Sequence, residues 1–129
     1  MDRDINQISG AVVDYSVKIH QVLGPGLFES VYQRILAYEL RKAGFKVETE
    51  VPIPIEWDGR IIDESFRADL IVNTQVLVEL KSLEKLQAVH KKQTLTYLRL
   101  AEIKLGLLIN FGAPLLKDGI HRIANGLPE

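Results

Sequence analysis

Phe66-Arg67-Ala68-Asp69-Leu70-Ile71-Val72, then Asn73-Thr74-Gln75, then Val76-Leu77-Val78-Glu79-Leu80-Lys81 reads as two strands joined by a three-residue turn. With the turn centred on Thr74, Asp69 falls opposite Glu79. Side chains alternate along a strand, so Arg67, Asp69, Glu79 and Lys81 are expected on one face, with Phe66, Ala68, Leu70, Val76, Val78 and Leu80 on the other. Two acidic groups facing each other on an otherwise apolar hairpin repel, and packing does not ask for them. A solvated polar face with a cross-strand ion pair to Lys81 would accommodate them. So would a bound divalent cation: hard ions such as Mg²⁺ take carboxylate and carbonyl oxygens and keep waters, one of which can attack a phosphodiester. Lys81 would then orient that water and offset phosphate charge.

Working outward, the stretch before the hairpin also has a period of two. Val47, Thr49, Val51, Ile53, Ile55 and Trp57 share one parity, and Glu48, Glu50, Pro52, Pro54 and Glu56 the other. That pattern predicts a half-buried strand over 47–57, placed at a sheet edge because proline removes ladder donors. Asp58-Gly59 predicts a two-residue hairpin turn back through Arg60-Ile61-Ile62. Further upstream, Ile5, Ile8, Val12, Tyr15, Ile19 and Val22 recur at helical spacing and predict a helix over about 4–23. Gly24-Pro25-Gly26 breaks it, and Phe28, Val31, Tyr32, Ile35, Leu36 and Leu40 give a second helix its apolar face, with Gly44 as its cap. Downstream, Ser82 is expected to cap a helix reaching about Lys104, followed by a strand Gly106–Phe111 and a short strand within Leu115–Ala124. The order predicts an α/β or α+β layered fold with a mixed sheet.

The chain has 129 residues, 47% hydrophobic and 26% charged, and no cysteine. One domain, 1–129, is expected to bury a sizeable core unaided, and iron–sulfur clusters, thiolate zinc sites and a cysteine nucleophile are excluded. Residues 45–80 carry three basic against eight acidic groups, whereas 81–104 carry six against two. Such an asymmetry suits cation-holding carboxylates beside a phosphate-attracting surface, and equally two ordinary solvated faces. No apolar run approaches the ~18 residues of a membrane span, and Met1-Asp2-Arg3-Asp4 does not open like a signal peptide, so a cytoplasmic location without membrane attachment is expected. His20, His90 and His121 lack close metal-ligand spacing, and neither a phosphate-binding GxxxxGK loop nor a Gly-x-Ser-x-Gly elbow occurs.

Asp69, nine intervening residues and Glu79-Leu80-Lys81 resemble the PD-(D/E)xK motif of the restriction-endonuclease-like nucleases, with Ala68 in place of its proline. Gly26-Leu27-Phe28-Glu29-Ser30-Val31-Tyr32 reads as Gly-x-x-Glu-x-x-Tyr, and the chain resembles the small GxxExxY family within that superfamily. The likeness extends over Ile19-His20, Gly24-Pro25-Gly26, Gln93 with Tyr97, Gly106–Gly112 and Leu116-Lys117-Asp118-Gly119-Ile120.

The resemblance implies an αβββαβ core and a metal-dependent nuclease acting on DNA, or RNA. Asp69, Glu79 and the Leu80 carbonyl would ligate Mg²⁺ or Mn²⁺, Lys81 would be the catalytic lysine, and Glu29 would reach the metal directly or through water. Independently of family, Glu29 lies in a first helical turn, where a carboxylate also serves the helix dipole. Gln93, Tyr97 and His90 share one helix face in the basic segment, and the resemblance gives that face a role in supporting the site and contacting nucleic acid. Tyr32 is expected to pack, with its hydroxyl orienting Glu29. A homodimer is the arrangement by which a small nuclease engages two strands. The rival reading is a non-catalytic nucleic-acid-binding or protein-interaction module on the same scaffold; glycoside hydrolysis by a carboxylate pair fits Lys81 beside Glu79 poorly.

Overall fold

A computed structural model describes residues 4–127. Helix α1 (Ile5–Leu23) starts at Asp4, whose carboxylate accepts from the Gln7 amide at 2.9 Å while the Gln7 side chain accepts from the Asp4 amide. Ile8, Val12 and Ile19 of its stripe are buried, but Val22 is exposed. Helix α2 (Glu29–Lys42) buries Tyr32, Leu36, Ala37 and Leu40. Phe28 and Val31 fall outside that face: Phe28 precedes the helix and points to solvent. Gly44, with φ at +95°, closes the helix as expected, its amide bonding to the Arg41 carbonyl and that of Phe45 to Leu40.

The expected strand over 47–57 is two strands. β1 (Val47–Pro52) pairs antiparallel with β4 (Arg67–Val72) at the edge of the main sheet, whereas β2 (Ile55–Trp57) and β3 (Arg60–Asp63) form a separate ribbon. Pro52 and Pro54 fall on the parity that faces away from β4, at the open edge where no ladder donor is needed; the Ile53 amide between them still donates to the Phe66 carbonyl at 2.8 Å, and the chain leaves the sheet beyond it. Trp57 consequently stands exposed at the ribbon's end instead of on a buried face. The Asp58-Gly59 turn is of type I′, with both residues at positive φ.

The main sheet runs β1-β4-β5-β6-β7, where β5 is Val76–Lys81, β6 is Leu105–Asn110 and β7 is Ile120–Ala124. β4 and β5 pair Leu70 with Val78 and Val72 with Val76, the register expected from a turn centred on Thr74. β5 and β6 are parallel and are linked through helix α3 (Ala88–Ala101); the other pairs are antiparallel. Ser82 does not cap α3, which begins six residues later at a Gln87 cap; the Ser82 hydroxyl instead donates to the Leu27 carbonyl. A 3-10 turn, Leu116–Gly119, precedes β7.

Helices α1 and α2 cover one face of the sheet and α3 the other. Leu70, Val72, Val76, Val78, Leu80, Leu105, Leu107 and Ile109 pack under the first pair. Ile71 and Leu77 pack under α3, against its Tyr97 and Leu98. Phe66 and Ala68 join this second cluster instead of following Leu70, because β4 parts from β5 beyond Leu70 and the strict alternation does not extend across that break. The result is the mixed-sheet, helix-flanked architecture of a restriction-endonuclease-like fold. Among the described residues no helix is long and apolar enough to cross a membrane.

Candidate active site

Beyond the Leu70–Val78 pair the backbone ladder between β4 and β5 stops, and side chains replace it. The Leu80 amide donates to Asp69 Oδ2 at 2.7 Å, and the Asp69 amide donates to Glu79 Oε1 at 3.2 Å. The N–H and C=O of one strand residue point the same way, so the Leu80 carbonyl also faces this gap. On the other side of β4 the ladder with β1 omits Glu50, the residue opposite Asp69. Glu50 sits at φ +51°, a left-handed conformation that costs a non-glycine residue about 1–2 kcal/mol. Asp69 therefore lies where β4 is detached from both neighbours.

Charge crowds at this gap. Burial and then the Asp69 carboxylate push Glu79, which is 6% exposed, up to about 8, against smaller opposing effects of the Asp69 amide and Lys81. Burial likewise raises Asp69 to about 6, opposed by the Leu80 amide and Lys81 and reinforced by Glu50 and Glu29. The field of four carboxylates, Glu29, Glu50, Asp69 and Glu79, thus converges with that of Lys81. Among the described residues Lys81 makes no direct ion pair; the one ion pair is Lys46–Glu48, on the surface. Tyr97, 8% exposed, packs its ring against Phe66 at 6.0 Å, and its phenol is raised by burial and by Glu79 and Asp69.

Glu29 is brought to the site by fixing the chain before it. The Tyr32 hydroxyl donates to the Gly24 carbonyl at 2.6 Å and accepts from the Leu27 amide at 3.2 Å, so it holds the loop and not the Glu29 carboxylate. Its ring stacks on Phe111 at 4.3 Å. Ser82 fastens the Leu27 carbonyl at 2.6 Å, so both polar groups of Leu27 are tied, one of them to the chain just after Lys81. The segment beyond is anchored too: Asn110 exchanges two 2.9 Å hydrogen bonds with the Leu83 backbone. His90 is occupied in the α3 cap, its Nδ1 accepting from the Gln87 amide, and Gln93 is exposed one turn before Tyr97.

Among the described residues no three His, Cys, Asp or Glu side chains gather closely enough to enclose a metal ion by themselves. Mg²⁺ does not require that: it binds through one or two carboxylates, with waters and substrate phosphate completing an octahedron. Asp69 and Glu79 each commit one oxygen to a backbone amide and keep the other, all donors are hard oxygens, and a cation would relieve their mutual repulsion. The residues present fit a divalent cation.

A family model described as the PD-(D/E)XK nuclease superfamily matches residues 6–123. The chain belongs to that superfamily. Its nucleases generally use divalent metals. No curated protein and no solved structure matches the chain.

Two contributors escape a reading of the sequence. Glu50 looks like one of several acids on the polar parity of a strand, and only the pairing of β1 with β4 sets it opposite Asp69. Ser82 carries the signal of a helix cap, whereas its partner Leu27 is remote in sequence.

Proposed function

We propose that this protein is a metal-dependent nuclease that hydrolyses phosphodiester bonds in nucleic acid, with DNA the expected substrate, and that it is a member of the GxxExxY group. The observation that carries the reading is the facing pair of half-buried Asp69 and buried Glu79, with Lys81 two residues beyond Glu79 on the same strand, in a chain of this superfamily. Asp69, Glu79 and the Leu80 carbonyl would hold Mg²⁺ or Mn²⁺, which when bound supplies an acidified water and neutralises phosphate charge. Lys81 hydrogen-bonds and orients the attacking water and offsets the charge that grows on the phosphate. Glu29 extends the carboxylate set from α2. Tyr97 walls the site, and Gln93 and His90 line the helix face beside it.

The motif has a physical rationale that supports the group assignment. Gly26 takes φ +103°, Glu29 follows the loop that this permits, and Tyr32 pins the loop through its hydroxyl. Two copies of the chain would serve the two strands of a duplex.

The test is cleavage of single- and double-stranded DNA and RNA with Mg²⁺ or Mn²⁺, comparing the wild type with Lys81→Ala and Glu79→Ala. Cleavage is expected in the wild type and reduced about 10²–10⁴-fold or more in both folded variants. No cleavage of any substrate by the wild type would favour the non-catalytic binding module.

A further inference from the structure

The protein groups of the proposed centre, four carboxylates and one lysine, do not themselves attract a polyanion. Attraction must come from elsewhere on the same face. Directly paired strand residues point to one face, and Glu79 pairs with Leu108, which pairs with His121 on β7. His121 therefore lies in the row of Glu79, two strand spacings or about 10 Å away. It lines a cleft of about 590 Å³ together with Lys85, Lys91 and Lys92. Glu84 and Asp118 also line the cleft, leaving one excess positive charge from the three lysines. None of these lysines has an ion-pair partner among the described residues. Burial and, after it, Lys91 hold the His121 imidazolium below its usual range, so the ammonium's field reaches the ring.

We infer that this cleft, on the β7 flank of α3, is a second subsite, where Lys85, Lys91, Lys92 and His121 hold a phosphate of the nucleic-acid chain. The inference rests on the nuclease reading of Asp69 and Glu79. Leu98 of α3 stands over Gly106, which places the helix between the two sites. The strand crosses the exposed first turn of α3, at Gln87 and Ala88, to reach both. Flexible ammonium groups suit a phosphate in either of two forms, a terminal monoester or an internal diester.

The experiment measures binding of fluorescent single-stranded DNA, with and without a 5′-phosphate, by anisotropy in EDTA over a salt series. The proteins are the wild type, the double variant Lys91→Glu/Lys92→Glu, Lys85→Glu, and Arg99→Glu as a control on the same helix away from the cleft, charge-matched to Lys85→Glu. These residues are exposed, and folding is checked by circular dichroism. The subsite predicts at least about tenfold weaker binding in the double variant and a salt slope lower by about one to two, with a smaller loss for Lys85→Glu and a smaller one still for Arg99→Glu. Loss confined to 5′-phosphorylated DNA identifies a terminal phosphate; equal loss with both DNAs identifies an internal one. Unchanged affinity and slope in the double variant, while the wild type binds and cleaves, overturns the subsite alone. A loss from Arg99→Glu equal to that from Lys85→Glu also overturns it, as unspecific charge. A wild type that neither binds nor cleaves nucleic acid overturns the nuclease reading and the subsite with it.

Discussion

Asp69 and Glu79 are joined through the backbone of each other's strand: the Asp69 amide donates to the Glu79 carboxylate, and the amide following Glu79, that of Leu80, donates to Asp69. The hairpin thereby holds two acidic groups together, Glu79 buried and Asp69 half-buried. Each carboxylate replaces a backbone partner that the ladder no longer supplies, so the pair is built into the fold as well as into the site.

This arrangement sets a pH dependence of stability. Both carboxyls titrate higher in the folded chain than in the unfolded chain, Asp69 at about 6 and Glu79 at about 8, chiefly through burial. Their contribution to stability is therefore full below the ordinary carboxylate range and is lost as pH rises through those folded values. Denaturant melts of the metal-free protein should show stability falling between about pH 4 and pH 8. Glu79→Gln keeps an acceptor for the Asp69 amide and removes the buried charge, so it should recover about 1–3 kcal/mol at the alkaline end. Parallel pH profiles for wild type and variant would refute the assignment of the effect to this pair.

The same pair predicts a metal response with the opposite pH trend. A divalent cation needs both carboxylates ionised, so binding expels protons and weakens as pH falls. Mn²⁺ at about a hundred times its dissociation constant should stabilise the protein by about 2.7 kcal/mol at pH 8, and by less at pH 5.5. Glu79→Gln should abolish the response. Thermal melts with and without Mn²⁺ at the two pH values decide it, and an equal shift in the variant would place the metal elsewhere.

How much of this was legible beforehand differs by segment, for physical reasons. The register of β4 on β5 was readable because a three-residue turn leaves few ways to close a hairpin, and Asp58-Gly59 announced its turn by chemistry that only positive φ satisfies. Alternation alone misled at Val47–Trp57, since the period of two runs on to Trp57 while the pairing with β4 ends at Pro52 and Ile53 and the chain passes into a separate ribbon. Glu50 was visible only as a strand acid: its approach to Asp69 depends on pairing two strands separated by a whole hairpin. Ser82 was misread because a hydroxyl's local capping signal says nothing of a remote carbonyl that it reaches first.

Tyr32 should separate positioning from packing. Tyr32→Phe keeps the stack on Phe111 and loses only the bonds to Gly24 and Leu27. The loss should cost about 1 kcal/mol of stability. With the loop before Glu29 loosened, cleavage should fall about tenfold. The Mn²⁺ stabilisation, which rests on Asp69 and Glu79, should persist. If cleavage by the folded variant is unchanged, the loop does not position Glu29.

Two glycines of the β6 region make the last test, because they look alike in sequence and meet different neighbours. A Cβ at Gly106 would lie 3.0 Å from the tip of the Leu98 side chain, which can shift. A Cβ at Gly112 would lie 2.1 Å from the Leu83 carbonyl oxygen and 2.6 Å from its amide nitrogen, backbone that Asn110 clamps on both polar groups. Gly106→Ala should cost about 1 kcal/mol or less, and Gly112→Ala about 3 kcal/mol or more. Leu83 follows Lys81 by two residues, so pushing it away should also disturb the lysine and the Ser82 tie to Leu27. Cleavage assayed at a temperature where both variants are folded should therefore fall in Gly112→Ala well beyond its unfolded fraction and stay near wild type in Gly106→Ala. Equal stability losses would mean that the Leu83 segment yields as readily as a leucine side chain, and the account of how the exit from β5 is held would fail.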